Sequence, residues 1–229
     1  MAGDHFQLPP FVQSPKAVQL GLNKTILDVA VANQIPTHLL DIQYRMHHKI
    51  MSFSNDCFYQ SKLVADASVE NCTIPQDEFE PIEFIDTAGC GFEEIKNENS
   101  GGISNPDEVK VLLKRLNNLD LSHLTYGIIS PYRHQVKILE QENLKHVNTI
   151  DSFQGQERDV ILISLVRNNQ HNEIGFLKDY RRMNVAMTRA KKKLIIIGDS
   201  TTIGQDQFYA KLLDHIEQNG SYRSAWEFI

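Results

Sequence analysis

Five short apolar runs along the chain have the composition of buried β-strands. Three of them are nearly continuous in valine, isoleucine and leucine, which is typical of strands that are covered on both faces of a sheet. The five runs are PIEFIDTAG, LTYGIISPY, HVNTIDSF, DVILISLV and KLIIIGDS.

Helical patterns alternate with these runs. In NPDEVKVLLKRLNNL, Asn105 stands at the N-cap, Pro106 at the first helical position and Glu108 in the first turn. Apolar residues then recur at the spacing of one helix face, and RHQVKILEQENL predicts a second helix after the next strand. Strand–helix alternation predicts βαβ units and a mostly parallel sheet, so the expected fold class is α/β.

Other segments are predicted from local composition. Residues 11–40 should hold an irregular stretch and a helix, NKTILDVAVANQ, capped by Asn23, and KIMSFSNDCFY should form another helix. The Gly-, Glu- and Asn-rich segment 90–104 has the composition of a mobile surface loop. Near the end, QFYAKLLDHIEQNG predicts a helix that stops at Gly220, after which SAWEFI, with the single tryptophan Trp226, should pack against the body.

The charge is unevenly distributed along the chain. The 229 residues carry a net charge of −6, which alone argues against a nucleic-acid-binding protein. However, residues 66–99 contain ten acidic residues and one basic residue, whereas residues 180–193 contain six basic residues and no acidic one. One end of the molecule could therefore face a polyanion, with a solvated basic helix end as the alternative. The lysine run 191–193 is interpreted as a solvated strand edge without a specific role.

Several protein classes are not expected. No apolar stretch approaches the roughly 20 residues that span a bilayer, and the first residues lack the pattern of a signal peptide. The three cysteines, Cys57, Cys72 and Cys90, are scattered without a CxxC pair, which argues against a disulfide framework and a zinc site. A cytoplasmic location is the expectation.

Five stretches occur in an informative order. Together they resemble the later motifs of superfamily 1 helicases, in the branch typified by the nonsense-mediated-decay helicase. QYRM, DSFQGQE and NVAMTRAK are each fairly specific, and their order is more specific still. The stretches are GDHFQLPP at 3–10, LDIQYRMH at 40–47, ISPYRHQ at 129–135, TIDSFQGQERDVILIS at 149–164 and GFLKDYRRMNVAMTRAKKKLIIIGD at 175–199.

The resemblance implies a RecA-like domain of the P-loop NTPase type, with a mostly parallel sheet flanked by helices. Under this interpretation, residues 1–37 are a remnant of a first RecA-like domain together with a connector. Residues 38–79 are a connecting region with the QYRM motif, 80–200 form the second RecA-like domain, and 201–229 form a C-terminal helical tail.

The resemblance also implies roles at the γ-phosphate of ATP. Gln7 would sense the γ-phosphate, and Arg45 and Arg189 would be arginine fingers, since guanidinium binds phosphate oxygens bidentately. We expect Arg189 to share one helical face with Arg182, Val185 and Ala186. A capped turn at Gln7 and surface ion pairs of the arginines are the structural alternatives.

Further nucleotide contacts are implied by the same motifs. Tyr44 resembles an aromatic residue at the adenine or ribose, with core packing as the alternative. Glu157 resembles a carboxylate that meets the ribose, and Gly155 would let backbone amides approach the ligand. Arg182 resembles an arginine at the nucleotide face. Asp159 is expected to secure the turn.

Single-stranded nucleic acid is the implied partner. Arg133 and Gln135 in PYRHQ, and Ser152 at the end of a preceding strand, resemble contacts to its backbone. A plain strand-to-helix turn after Pro131 is the alternative for PYRHQ. Whether the strand is DNA or RNA does not follow from these residues.

Part of a helicase motor is not found in this sequence. None of the twelve glycines is followed by lysine, so there is no GxxxxGK[ST] loop, and no apolar strand ends in Asp-Glu. We therefore expect ATP and Mg²⁺ to be held mainly by an N-terminal RecA-like domain of a longer polypeptide, and the chain alone to be inactive.

Two other functions are considered. Asp86, Glu94 and Lys96 have the spacing of a metal-dependent nuclease set, but Glu94 and Lys96 lie in the Gly/Asn/Glu-rich segment rather than on a paired strand. The second alternative is a RecA-like module that binds nucleic acid or regulates a partner without hydrolysing ATP.

Overall fold

The computed structural model describes residues 2–10, 12–98 and 100–229. Its strands are β1 (Ile42–Gln43), β2 (Val64–Ala65), β3 (Ile82–Asp86), β4 (Ile95–Lys96), β5 (Ile103–Ser104), β6 (Tyr126–Ser130), β7 (Val147–Thr149), β8 (Arg158–Ser164), β9 (Ala190–Gly198) and β10 (Ser221–Ser224). Its α-helices are α1 (Pro15–Gln19), α2 (Ile26–Ala32), α3 (His48–Phe58), α4 (Pro106–Asn117), α5 (Arg133–Gln141), α6 (Ile150–Phe153), α7 (Tyr180–Met187), α8 (Ser200–Ile203) and α9 (Gln207–Asn219). Two 3-10 helices span Gly175–Lys178 and Ala225–Phe228.

The main sheet has six strands in the order β10-β3-β9-β8-β6-β7. Each of its five strand pairings is parallel, for example Ile85 opposite Ile197 between β3 and β9. The predicted α/β class and parallel sheet are therefore confirmed. The five apolar runs supply β3, β6, β7, β8 and β9, whereas β10 comes from the polar segment SYRS beyond the predicted 80–200 segment.

Helices cover both faces of the sheet, since successive residues of a strand point to opposite sides. On one face, Val160 and Leu162 pack with residues of α4 and α5. On the other, Ile161 and Ile163 pack with residues of α3, α7 and α9. α4 begins as predicted, because the Asn105 side chain accepts a hydrogen bond from the backbone N–H of Glu108.

Some local predictions need correction. α2 is capped by Thr25, which forms a reciprocal capping box with Asp28, and not by Asn23. The segment predicted as a loop over 90–104 contains an antiparallel pair, β4 with β5. Ser152 lies on α6 and not at a strand end.

The C-terminal predictions are largely confirmed. α9 ends at Asn219 with Gly220 as its C-cap. A Cβ at Gly220 would lie 2.5 Å from the carbonyl oxygen of Ile82, so the close approach of α9 to β3 requires glycine. Ala225 and Phe228 are buried, but Trp226 between them faces solvent.

The prediction of a solvated lysine run is wrong for Lys193, which is buried. Its Nζ lies 2.9 Å from carboxylate oxygens of both Asp77 and Glu83, and Arg115 contacts the same two carboxylates at 2.8 Å. We call these four residues the compensated cluster, because two cations face two anions. Lys191 and Lys192 also have partners, Glu157 and Asp159 respectively.

The N-terminal segment is attached to this body through a few contacts. α1 and α2 bury no residue, and α2 touches the body through an ion pair of Asp28 with Arg181 at 3.6 Å. The turn at residues 4–7 instead packs beside α3 and α7, which places Gln7 near the end of α7. No helix of the described residues is long and apolar enough to cross a membrane.

Candidate nucleotide site

The turn that carries Gln7 is organised by Asp4. The Asp4 carboxylate accepts hydrogen bonds from the Phe6 backbone N–H at 2.9 Å, from Gln7 Nε2 at 3.0 Å and from the Tyr59 hydroxyl at 2.7 Å. Asn184 of α7 donates to the Phe6 carbonyl oxygen at 3.1 Å, which ties the turn to the helix. The Gln7 side chain is thereby held with its amide nitrogen toward Asp4 and its oxygen free to accept.

That oxygen faces Arg189. The Arg189 Nη2 lies 3.4 Å from Gln7 Oε1, and Nε donates to the Val185 carbonyl oxygen at 2.9 Å. Arg189 does not share a helical face with Val185 as predicted, because α7 ends at Met187 and Thr188 is its C-cap. Instead, its guanidinium folds back and donates a hydrogen bond to a carbonyl oxygen in the last turn of the helix.

Arg189 is a buried cation that forms no ion pair with the described residues. Its side chain is almost fully buried, and among the described residues no carboxylate lies within 4.0 Å of it. Burial and, second, the positive charge of Arg45 lower the pKa of Arg189 to about 10, against the weaker opposing effect of Glu157 and Asp4. A guanidinium in such surroundings would be stabilised by an anionic ligand.

Arg45 lies in the same group of residues. Its Nε donates to Glu157 at 2.5 Å and its Nη1 to the Thr188 carbonyl oxygen at 3.2 Å. The QYRM turn is held by Gln43, whose side-chain oxygen accepts from the backbone N–H groups of Arg45 and Met46, each at 2.8 Å. The backbone of this motif is therefore fixed before any ligand binds.

Glu157 is the carboxylate of this group. It accepts from Lys191 at 2.8 Å as well as from Arg45, and these contacts, Lys191 first, hold its pKa below the ordinary value. Gly155 lies in the turn between α6 and β8 with φ of +82°, a conformation that favours glycine. A Cβ there would meet no atom within 4 Å, so the backbone angle and not space requires glycine.

We define the arginine site as Gln7, Arg45, Glu157 and Arg189. These residues come from four separate stretches of the sequence, and their hydrogen bonds and ion pairs connect them directly or through Thr188 and Gln156. Tyr44 adjoins Arg45, and its ring is two-thirds exposed rather than packed in the core. An exposed ring can stack on a flat aromatic ligand.

Arg182 is not brought to the arginine site. It lies in the first turn of α7, whereas Arg189 follows the end of this helix. Its guanidinium is 3.4 Å from Asp151 and 3.7 Å from Asp179, and its Nε is buried without a hydrogen-bond partner among the described residues.

Of the three residues predicted to contact nucleic acid, two are exposed and one is buried. Arg133 begins α5 and is exposed, and Ser152 is exposed on α6. Gln135, however, is fully buried. Its side chain donates to Ser164 Oγ and to the Asn105 carbonyl oxygen, each at 2.9 Å. Gln135 therefore exposes no surface that a nucleic-acid strand could contact.

Gln135 belongs to a buried polar network at the end of β8. Glu108 accepts hydrogen bonds from Ser164 Oγ at 2.6 Å and from the Val166 backbone N–H at 3.0 Å. Burial raises the pKa of Glu108 to about 8. Val166 has φ of +73°, which is rare for a β-branched residue, and the network holds its peptide in place.

Three residues of this region were not predicted from the sequence. Tyr59 and Asn184 position the Gln7 turn, and Lys191 holds Glu157. Asn184 and Thr188 are four residues apart in NVAMTRA, which places them on one face of α7 and could have indicated a shared role. Tyr59 carries no such signal, because its partner Asp4 is 55 residues away.

The nuclease alternative finds no support in the positions of its residues. Asp86 accepts from Ser200 and Tyr222 at the end of β3, whereas Glu94 binds Arg167 at 2.8 Å. Lys96 lies on β4 in a separate two-stranded sheet. Among the residues that the structure describes, no group of three His, Cys, Asp or Glu side chains could hold a metal ion.

The parallel six-stranded sheet with helices on both faces defines an α/β domain. A family model described as "AAA domain" matches residues 22–201. The chain therefore belongs to the AAA domain family.

Curated relatives agree with this assignment. The chain is 33% identical over 247 residues to the DNA-binding protein SMUBP-2 of Rattus norvegicus, covering 100% of this chain and 25% of that protein. It is 39% identical over 233 residues to the uncharacterized ATP-dependent helicase MJ0104 of Methanocaldococcus jannaschii, covering 93% and 34%. It is 37% identical over 227 residues to the DNA replication ATP-dependent helicase/nuclease DNA2 of Gallus gallus, covering 95% and 22%.

These relatives confirm the resemblance to superfamily 1 helicases. The chain spans between about a fifth and a third of the length of the curated relatives that it matches.

Proposed function

We propose that the chain is the C-terminal RecA-like motor domain of an ATP-dependent superfamily 1 helicase. In this proposal it supplies Gln7, Arg45 and Arg189 to the γ-phosphate of ATP. The sequence contains no Gly-Lys pair, so the proposal assigns the phosphate cradle and the Mg²⁺ ligands to an N-terminal RecA-like domain of the same polypeptide. Relatives named as ATP-dependent helicases support it.

The observation that carries the proposal is the unpaired charge of Arg189. Burying a guanidinium without an anion is costly, and Arg45 beside it adds repulsion. The γ-phosphoryl group of ATP would supply the missing negative charge, and its oxygens match the planar donor set of arginine. Phosphoryl transfer is catalysed mainly by positioning and charge stabilisation, which are the two properties that fixed arginines provide.

The other residues of the arginine site have complementary roles in this proposal. Gln7, held by Asp4 and facing Arg189, would contact a γ-phosphate oxygen or orient the attacking water. Tyr44 would stack on the adenine or ribose, and Glu157 would accept a hydrogen bond from a ribose hydroxyl. The turn at Gly155 brings the Gln156 carbonyl oxygen beside Arg189, whose Nη1 lies 3.5 Å from it.

Single-stranded nucleic acid is the proposed substrate. Arg133 and Ser152 would contact its backbone. Gln135 would not touch the nucleic acid, but its hydrogen bonds would fix the positions of Ser164 and Asn105. Arg182, whose buried Nε has no partner among the described residues, would serve the nucleotide face only if Asp151 and Asp179 release it. Binding through a few phosphate contacts should weaken as salt is added.

The experiment is an ATPase measurement on the longer polypeptide that contains a Walker loop. Arg189→Ala should lower kcat by about 10³-fold or more, the range found for arginine fingers, while ATP binding and folding are largely kept. Arg189→Lys should restore little activity, because a point charge lacks the planar donor set of arginine. The 229-residue chain alone should hydrolyse ATP no faster than background.

Arg223→Lys is the matched control. Arg223 lies on the edge strand β10 and pairs with Glu227 of the following 3-10 helix and, at 3.6 Å, with Glu83. The kcat of the Arg223→Lys variant should therefore equal that of the wild type. Near-wild-type kcat for Arg189→Ala would show that this arginine has a structural role only.

A further inference from the structure

An open cleft of about 690 Å³ lies beside the start of α7. One wall is formed by the 3-10 helix Gly175–Lys178 and the first turn of α7, and the other by the ends of the Gln7 turn and α3. Its lining has four aromatic rings and three cations, Lys178, Arg181 and Arg182, with Asp179 as the one carboxylate.

Two aromatic rings of the cleft are accessible. Phe176 is 61% exposed, a high value for a phenylalanine, and Tyr180 is 36% exposed. The Tyr180 ring stacks on Phe208 with centroids 4.6 Å apart and planes 19° apart, and its hydroxyl donates to Asp206 at 2.8 Å. The orientation of Tyr180 is therefore fixed from behind, which lowers the entropy cost of stacking a flat ligand on it.

Positive charge surrounds these rings. Lys178 is exposed, and among the described residues no carboxylate lies within 4.0 Å of its Nζ. Arg181 is also partly exposed, and its contact with Asp28, at 3.6 Å, is a weak surface pair. Both cations are available to an anionic chain that passes over the cleft.

The cleft continues toward a residue already proposed to contact nucleic acid. The Phe176 ring lies 5.7 Å from the ring of Tyr132, which is the N-cap of α5 and directly precedes Arg133. Tyr132 is buried, so Phe176 is the exposed ring of this pair, and Arg133 follows Tyr132 directly in the sequence at the start of α5. A combination of exposed rings and cations is typical of surfaces that bind single strands without sequence preference, since bases stack on rings and phosphates meet the cations.

We propose that this cleft is a base-stacking site for single-stranded nucleic acid. Phe176 and Tyr180 provide the stacking faces, and Lys178 and Arg181 contact the phosphates that flank the stacked bases. The proposal rests on the function proposed above, and it adds a specific place where bases, and not only phosphates, are bound.

The test compares Phe176→Leu with the wild-type chain. Leucine keeps an apolar contact to Tyr132 but removes the ring. Binding is measured by fluorescence anisotropy with a labelled oligothymidylate of about 15 nucleotides and with an abasic strand of the same length, at one fixed salt concentration. We expect Phe176→Leu to weaken oligothymidylate binding about fivefold or more, and to leave binding of the abasic strand unchanged.

Trp226→Leu is the matched control, because Trp226 is 62% exposed and lies outside the cleft. It should bind both strands as the wild type does. A double variant, Phe176→Trp with Trp226→Phe, then places the only tryptophan of the chain in the cleft. It should restore affinity, and its fluorescence should be quenched by oligothymidylate but not by the abasic strand.

The outcomes separate the two proposals. If the wild-type chain binds neither strand at low salt, the proposed nucleic-acid function fails and the stacking site fails with it. If the wild type binds but Phe176→Leu binds oligothymidylate equally well, or the cleft tryptophan is not quenched, the stacking site alone is overturned.

Discussion

Arg115 and Arg189 are both buried, with exposed fractions of 1% and 3%, but they have opposite electrostatic surroundings. Arg115 contacts the carboxylates of Asp77 and Glu83, and these raise its pKa against the opposing effect of burial. Arg189 has no such partner, so burial and the nearby Arg45 lower its pKa to about 10.

The difference separates an arginine whose charge is compensated by carboxylates from one that forms no ion pair with the described residues. In the compensated cluster each buried charge is neutralised within the protein, so nothing remains for a ligand to supply. At the arginine site Glu157 is the one carboxylate in an ion pair among the described residues, and it is shared by Arg45 and Lys191. An anionic ligand would complete the site in the way that Asp77 and Glu83 complete the cluster.

The largest expected effect is on the compensated cluster. Arg115→Met removes one cation and leaves Asp77 and Glu83 with Lys193 and the more distant Arg223, so the free energy of unfolding should fall by about 3–5 kcal/mol. Urea denaturation of the purified chain measures it. Arg189→Met, the matched substitution, should change stability by about 1 kcal/mol or less, because the lost charge was not compensated. Equal losses for the two variants would contradict the comparison.

A second effect concerns a buried carboxyl group that forms no ion pair among the described residues. Glu108 has a folded-state pKa of about 8 because of burial, and an ordinary value near 4.5 when unfolded. The folded state therefore keeps a proton that the unfolded state releases, so its contribution to stability is present below pH 4.5 and is lost as pH rises through 8. Between pH 5 and 8.5, the wild type should lose about 2–4 kcal/mol relative to Glu108→Gln, which cannot ionise.

The difference between the two proteins is the quantity to measure, by urea denaturation at several pH values. Other titrating groups, such as His47, whose pKa is lowered to about 4 by burial, contribute equally to both proteins and cancel. A pH-independent difference would mean that Glu108 is ionised in the folded state and stabilised by Ser164 and Val166.

The compensated cluster also shows what could not be predicted from the sequence. Lys193 precedes the apolar run LIIIG, and a lysine there usually lies at a solvated edge. Its carboxylate partners are more than 100 residues away, so no local pattern reveals them. The strand itself was predictable, because the Val, Ile and Leu runs that need burial on both faces can form only interior strands of a parallel sheet.

β10 was not predictable for the opposite reason. It is an edge strand of polar residues, and its position depends on α9 and on Gly220 approaching Ile82. The burial of Gln135, in contrast, is indicated by the periodicity of its helix. Gln135 lies four residues before the buried Leu139, on the same face of α5, and this periodicity indicates burial rather than contact with nucleic acid.

The arginine site was partly predictable. The motifs identify Gln7, Arg45, Glu157 and Arg189 as candidates, and the structure places these four side chains together. Their partners within the protein, such as Asp4 with Tyr59, are set by tertiary packing and have no local sequence pattern. The roles of the four residues toward ATP remain predictions.

The smallest expected effect is on the arginine site of the chain alone. Because half of the proposed nucleotide site lies on another domain, an anion should bind here weakly, and tripolyphosphate serves as a probe of its charge and shape. At a concentration about ten times its dissociation constant it should stabilise the wild type by about 1.4 kcal/mol, seen as a higher melting temperature.

Arg189→Met should abolish this stabilisation. Arg115→Met should melt at a lower temperature than the wild type, but tripolyphosphate should raise its melting temperature by the same amount. Sodium chloride at equal ionic strength controls for screening, which acts on all exposed charges alike. If tripolyphosphate stabilises Arg189→Met as much as the wild type, the anion binds elsewhere, and the uncompensated charge of Arg189 would not mark a phosphate site.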